Sequence, residues 1–405
     1  MNAVIGQPAA AGLSRGLAAL LMVTIVVAAA SMHFNTPMLD TIRREFDARA
    51  SEVGWIATGT VAGYVIGLIL LVPLGDRYDK RTLILAKIIG LIVASIVSAT
   101  ASSVMVIAIA SAVIGALATS TQDIIPLATD LAPPADRGKI VGTMLSALMI
   151  GILVGRVGGG FLASLFGWRS AFWLAATILT LLLPMVWRLL PSSRGETTLS
   201  YAALMGSLAG LLRKHPGLRR SSTTQFLINL GYGAFWSTVA LMLAQFHGLD
   251  SMAAGLIGIP GAAGVLIARQ AGRLVDRRGH RPVVAIGCAL VVAAFIVFGF
   301  AAVSVMFVVV GAMLLDFGIR SAQVANQTFV NGLEPAARAR TNMIFMAFVF
   351  TGNAIGALAA TYGWSHGGWI VVTIIGGAGA ACGLLLHWIG NRHLAATNSQ
   401  GAINR

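Results

Sequence analysis

The sequence predicts an all-α membrane protein of twelve transmembrane helices, built as two six-helix halves that repeat in parallel. Three observations predict it. Of 405 residues, 57% are hydrophobic and only 10% charged, with a mean hydropathy of +0.85. Soluble domains carry about 25% charged residues, so this surface charge is too sparse for a soluble enzyme and the chain too apolar for disorder. Apolar runs of membrane-crossing length, about 20 residues, recur along the whole chain. The motifs of the first half also return in the same order in the second.

The first six spans fall at 16–38, 53–74, 82–101, 104–132, 139–166 and 170–190. The second six fall at 222–246, 251–274, 282–301, 304–332, 342–363 and 367–390. The domains are therefore 1–190, a linker at 191–221, and 222–405 with a short tail. Leu199 to Leu212 in the linker has an amphipathic pattern that suits a membrane surface. The apolar run after Arg15 is longer than a signal-peptide core, and cleavage there would break the repeat, so the first span is retained.

Loop charges set the orientation. With the N-terminus inside, the cytoplasmic side holds twenty of the 28 Lys and Arg residues and the outside four: Arg43, Arg44, Arg49 and Arg169. Positive residues collect on the cytoplasmic side, so both termini lie in the cytoplasm. The same rule accounts for a net charge of +14 without nucleic acid. Cys288 and Cys382 form no framework, and no His/Cys spacing implies a metal. No cofactor is implied either.

The repeat is specific. LGDRYDKR at 74–81 returns as LVDRRGHR at 274–281, PADRGK at 134–139 as PAARAR at 335–340, and Gly167-Trp168 as Gly363-Trp364. Both halves begin on the same side, the arrangement expected of a carrier with its site between them. Gly272, Asp276, Arg277, Gly279 and Arg281 match the loop signature G-x-L-x-D-R-x-G-R-R of the major facilitator superfamily. Asp76, Arg77 and Arg81 keep part of it, while Val72 and Asp79 stand where it has glycine. The chain closely resembles that superfamily along its length. The resemblance implies a cytoplasmic gate at these two loops, latched by Arg residues of one half on acids or helix ends of the other.

Gly151, Gly155, Gly158 and Gly159 resemble the exporter motif G-x-x-x-G-P-x-x-G-G of drug-proton antiporters within the superfamily. They let helices approach closely. Arg156 replaces the motif's proline, so the kink is expected to be lost and a charge gained. The Ala132–Gly138 loop, Gly167-Trp168-Arg169, Asp316-Phe317-Gly318 and Asn326-Gln327 resemble one subgroup of bacterial twelve-span exporters.

Charges inside spans are expensive and mark function. Lys87 and Arg269 lie near helix ends and are expected to snorkel. Asp123 sits ~14 Å from the cytoplasmic end of its helix by helical rise. It suits either a proton carrier or a fixed charge partner. Asp316 and Arg320 are i and i+4 and can pair on one face. Asp316 and Arg156 lie at similar depth, ~25 and ~26 Å, so they can pair across the halves, or all three form a static triad. Gln225, Asn229, Tyr232 and Trp236 share one helix face. Cavity helices in this superfamily are one, four, seven and ten, which implies that this face, His33, Asn35, Gln323 and Asn326 line a cavity.

These residues predict an inner-membrane exporter of small organic or drug-like molecules. It is driven by proton antiport through Asp123 or Asp316 and expected to work as a monomer. An uptake carrier or facilitator for a small organic anion is the alternative, favoured by the intramembrane arginines. The arginine that many such antiporters carry in span four is missing, since Ser111 to Gly115 stand there. A non-transporting receptor is disfavoured by the polar cavity face. An enzyme is disfavoured by the lack of a P-loop, GxSxG or HExxH.

Overall fold

The computed structural model describes residues 13–133, 136–192, 201–262, 264–334 and 337–403. Pro134 and Ala135 of the repeated PADRGK motif lie outside them, as does Leu199. Asp76 is described by its backbone alone, so its expected gate role lies outside the described side chains. The same holds for the expected snorkelling of Arg269.

The first half begins with α1 (Arg15–His33), capped by Ser14, whose hydroxyl accepts from the Leu17 amide at 3.2 Å. It stops at His33 because Pro37 lies four residues on, and a proline ring clashes with the carbonyl at i−4. The chain continues as α2 (Asn35–Glu45), so the first span runs further than the apolar pattern reached. Next come α3 (Ala50–Leu70), a 3₁₀ turn at Val72–Asp76 and α4 (Lys80–Ala99). Asp79, at a glycine position of the loop signature, caps α4 by accepting from the amides of Arg81 and Thr82. At the matching position of the second half, Gly279 precedes the helix with φ +77°. One copy of the turn uses a capping carboxylate, and the other uses the backbone freedom of glycine.

The fourth expected span is two helices, α5 (Val104–Ala118) and α6 (Ser120–Asp130). Thr119 and Thr121 donate their hydroxyls to the carbonyls of Ala116 and Ala118, which competes with the helical ladder at the break. The fifth is α7 (Arg137–Leu153), a π-helical turn at Val154–Gly158 and α8 (Gly159–Phe166). The regular helix expected once arginine replaced proline is therefore not formed: a wide turn stands in place of the kink, with Arg156 inside it. α9 (Arg169–Leu189) completes the half.

The linker contains α10 (Tyr201–Lys214), close to the amphipathic stretch seen in the sequence. α11 (Pro216–His247) ends in Gly248 at φ +63°, a left-handed cap. The eighth expected span is broken into α12 (Ser251–Leu256), α13 (Gly258–Ala262) and α14 (Gly264–Arg278). Pro260 explains the first break, since its i−4 residue is Leu256. α15 (His280–Phe298) and α16 (Val305–Leu333) follow. The last two expected spans form one element, α17 (Arg338–Ile403), interrupted at Gly367 and Gly368. Ten described helical segments are thus long and apolar enough to cross a membrane, one of them the 50-residue stretch Arg340–Ile389.

Two buried apolar clusters organise the chain. One runs from Leu17 to Leu190 around Trp168 and Phe172. The other runs from Ile228 to Ala380 around Phe235 and Phe298. Small residues bring the backbones together: a Cβ on Gly115 would strike the Thr60 carbonyl of α3, and one on Gly63 the Ala112 carbonyl of α5. In lipid, such close packing replaces the hydrophobic drive between helices.

The two clusters are tied together at the end opposite the repeated D-R loops, here called the distal end. The Thr41 and Ser251 hydroxyls are 2.6 Å apart, and the Ser164 hydroxyl donates to Asp250. Gly54 of α3 lies against Thr361 of α17. Within the first half, Trp168 and Arg169 both donate to Glu45. Burial pushes the Glu45 carboxyl up, but these two donors outweigh it and hold it below the usual range.

Candidate functional site

The π-turn places Arg156 at the seam between the clusters. Its backbone lies against α12, where a Cβ on Gly255 would meet the Arg156 carbonyl. Its side chain passes Gly258 and reaches α11. There its Nη2 donates to the Tyr232 hydroxyl at 2.8 Å, and its guanidinium carbon lies 3.5 Å from the Trp236 ring centroid. Arg156 is 5% exposed. A cation so far from water is costly, and the aromatic face with one hydroxyl offsets part of that cost.

The expected ion pair between Arg156 and Asp316 does not form, nor does the one between Asp316 and Arg320. Asp316 is buried, and its Oδ2 has no hydrogen-bond partner. Both arginines still act on it through space. Arg320 instead donates to Gln323 at 3.4 Å, and Gln323 to the Met346 sulfur at 3.8 Å. The i+4 spacing allowed the pair, but the arginine has a second acceptor one turn further on. Arg156 Nε and Trp236 Nε1 are likewise buried without partners. One acceptor and two donors are thus left unused on these three residues, and Asn35 Oδ1 and Gln225 Nε2 are also buried without partners. Buried polar atoms are normally satisfied, so these atoms are suited to a ligand.

His33 belongs to this group. It stands at the α1–α2 break, half-buried, with Nδ1 2.8 Å from the Ala29 carbonyl and within the field of Arg156 and Arg320. The remaining predicted cavity residues are drawn elsewhere. Asn35 donates to Thr60 at 3.1 Å and Ser111 at 3.0 Å, joining α2 to α3 and α5. Asn326 donates to the Gln225 side chain, joining α16 to α11, while Asn229 donates to the Gln225 carbonyl of its own helix. Along the polar stripe on α11, Tyr232 and Trp236 meet Arg156 at the seam, while Gln225 meets Asn326 and Asn229 bonds back to its own helix.

Lys87 does not snorkel. It is buried and donates to Asp123 Oδ2 at 2.5 Å. Depth along α4 suggested a side chain that could reach water, but the carboxylate on α6 captures it first. Asp123 also abuts the signature loop, where a Cβ on Gly75 would sit 3.3 Å from its Oδ1.

Among the described side chains, the arginines of the loop signature make no cross-half latch. Arg77 lies over Tyr78, and Arg81 donates to the Trp187 carbonyl of its own half. Asp276, Arg277, Gly279 and Arg281 are exposed. The glycine motif does pack closely. Gly151 and Gly155 rest on α1 at Val26 and Ala30, and Gly159 rests on Phe34. Gly158 meets no neighbouring helix and drops out of this set. Gly160 takes its place, pressed on Ser251 and Gly255 across the seam.

Sequence reasoning missed three features of the seam. Gln122 donates to the Tyr64 hydroxyl at 3.0 Å, and Tyr64 packs on Phe350 of the other half at 4.5 Å between centroids. The Thr41–Ser251 bond and Gly160 are the others. Only Gly160 left a signal, as the third glycine of a GGG run.

Comparisons agree with this architecture. The family model of the Major Facilitator Superfamily matches residues 20–333 and 221–403. The chain is 34% identical over 388 residues to the Uncharacterized transporter YgaY of Escherichia coli O157:H7, covering 95% of this chain and 98% of that one. It is 23% identical to the Gallate transporter of Pseudomonas putida, over 88% of this chain and 82% of that one. Among solved structures, a bacterial homolog of the human lysosomal transporter Spinster, inward-facing and unoccupied, superposes with a TM-score of 0.73 at 15% identity. It covers 95% of this chain and 96% of that one.

Proposed function

The chain belongs to the Major Facilitator Superfamily and is a multi-pass membrane transporter; on that premise we propose that it exports small organic molecules across the bacterial inner membrane in exchange for protons. The observation that carries this reading is the cross-half contact of Arg156 with Tyr232 and Trp236, beside a buried Asp316 whose Oδ2 has no partner. The aromatic pair takes an apolar or aromatic body. Ionised Asp316 accepts from a donor on the substrate. A proton arriving on Asp316 removes that acceptor and expels the substrate, so proton and substrate occupy the site in turn. Rocking of the halves about the seam delivers each to its own side. Of the two carboxylates named from the sequence, Asp316 is assigned this role, because Asp123 is held by Lys87.

In this reading the boundaries are 1–190, 191–221 and 222–405, the protein works as a monomer, and both termini lie in the cytoplasm. The distal end then faces outward, and the D-R loops face the cytoplasm.

Uptake of a small organic anion is the second reading. Arg156 and Arg320 outnumber Asp316 at the site, and one relative is named for transport of gallate. Everted vesicles separate the two. With a pH gradient imposed, accumulation of amphipathic aromatic compounds that Asp316→Asn abolishes supports antiport export. Movement of organic anions only down their own gradient, unchanged in Asp316→Asn, overturns it in favour of the facilitator.

A further inference from the structure

A cavity of about 710 Å³ opens between the two halves at the distal end. One wall comes from the end of α2 and the turn after it: Asp40, Arg43, Arg44, Asp47 and Arg49. The other comes from α11 and the outer bend of α17: Leu241, Gln245, Trp364 and Ser365. By helical rise, Leu241 to Gln245 lie about 8 to 14 Å beyond Trp236. This cavity is thus separate from the Arg156 site but continues its seam.

Its charge is uneven in a particular way. Arg43 and Arg44 both turn onto one carboxylate, with Nε 3.0 and 2.7 Å from the two oxygens of Asp40. Each guanidinium meets Asp40 at Nε, and among the described residues no acceptor takes a hydrogen bond from a terminal nitrogen of either. Asp40 is one charge against two, and Arg49 and Asp47 add one of each sign. The wall therefore keeps a net positive charge, carried on guanidinium edges of the geometry that grips a carboxylate or sulfonate in two places. The facing wall offers an indole and an aliphatic surface for an apolar body.

Scarcity makes the same point independently. Positive residues are few on the outer side of such proteins. With the distal end outside, this chain places only Arg43, Arg44, Arg49 and Arg169 there. Arg169 is held by Glu45 and lies over Trp168. The other three all line this one cavity.

We propose that the distal cavity is a second binding site, selective for small aromatic anions, lying on the substrate path outward of the Arg156 site. Arg43 and Arg44 hold the anionic group, and Trp364 covers the ring. The cavity and its charge do not depend on the direction of transport, and only the argument from scarcity uses the proposed orientation.

The test uses purified full-length protein carrying Cys382→Ser, with Ser365→Cys as reporter and Ala48→Cys as an alternative reporter on the opposite wall. The reaction rate with a charged maleimide is measured against benzoate, with benzyl alcohol as the uncharged control. Benzoate is expected to slow labelling, and benzyl alcohol at the same concentration to leave it unchanged. Arg43→Gln with Arg44→Gln should raise the half-protecting concentration at least about tenfold. Arg156→Gln should leave it unaltered. Equal protection by benzyl alcohol, or protection that survives the double substitution, overturns the proposal. Protection lost in Arg156→Gln also overturns it, because benzoate would then be acting from the inner site. Protection of Ser365→Cys by benzoate in a protein that moves no benzoate keeps this site and takes it off the substrate path.

Discussion

The guanidinium of Arg156 and the indole of Trp236 are stacked at 3.5 Å although they belong to opposite halves of the chain. The contact shares the seam with the packing of Tyr64 on Phe350 and of Gly160 on Gly255, and whatever moves the halves must break it or carry it along. A desolvated cation–π contact contributes about 2 kcal/mol. Trp236→Ala is therefore expected to lower transport at least about tenfold, with Trp236→Phe between it and the wild type. Arg156→Lys should behave like a loss, since an ammonium cannot both stack on Trp236 and reach Tyr232. Initial rates in proteoliposomes check this. Full activity in Trp236→Ala would remove the contact from the mechanism.

Asp316 and the Lys87–Asp123 pair predict different defects. Asp316→Asn should abolish gradient-driven accumulation and leave the melting temperature near that of the wild type, because the lost carboxylate had no ion-pair partner. Thermal unfolding with parallel uptake measurements reads both quantities.

Removing one member of a buried ion pair leaves the other charge stranded, at a cost of about 3 kcal/mol or more. Lys87→Met and Asp123→Leu are each expected to lower the melting temperature. The double variant should recover much of the loss, since two apolar side chains strand nothing. Additive losses in the double variant would show that the pair is not coupled.

The packing of α3 on α5 gives a graded test. Gly115→Ala would drive a methyl into the Thr60 carbonyl, and overpacking of this kind costs about 1–3 kcal/mol. Gly138 on α7 has no neighbour within 4 Å of a built Cβ, so Gly138→Ala should be neutral or stabilising through helix propensity. Melting temperatures in detergent should rank the wild type above Gly115→Ala and not above Gly138→Ala.

The distal tie has a pH signature. The Ser164 hydroxyl, then burial against it, then local backbone amides set the Asp250 carboxyl, which lies below its ordinary range. A group depressed in the tied state favours that state above its ordinary pKa and loses the effect as pH falls through the depressed value. Acidification through the carboxylate range should thus loosen the distal end. Distances between spin labels on α8 and α12 should lengthen there in the wild type, and Ser164→Ala should shift the transition to higher pH. A transition unchanged by Ser164→Ala would assign the pH response to another group.

The fold class was legible because lipid demands a strong signal: long apolar runs, charge bias and repeated loops. The breaks were legible only in part. Pro37 and Pro260 mark their own breaks four residues upstream, yet the π-turn around Arg156 has no proline. Arg156, Tyr232 and Trp236 could be singled out from depth and helix face, and the structure brings the three together. Their partnership could not be singled out, because Asp316 was an equally good partner for Arg156 by charge. Lys87 was misjudged for a related reason: distance to a helix end says nothing about a carboxylate waiting on the next helix. Asn35 and Gln225 also form bonds between helices that polarity alone did not reveal.

The π-turn at Val154–Gly158 has one more consequence. In an α-helix a spacing of four overshoots a full turn by about 40°, so a column of such residues winds slowly around the axis. The wider turn between Gly155 and Gly159 rewinds the column, which is how Gly151, Gly155 and Gly159 stay on one line along α1 and Phe34. It also sets the phase at which Gly160 arrives opposite Gly255. The helix is in this sense a vernier: one surplus residue aligns two seams that a regular spiral would bring into register only one at a time. Deleting Val157 would leave every side chain at the site intact and still put the two seams out of step.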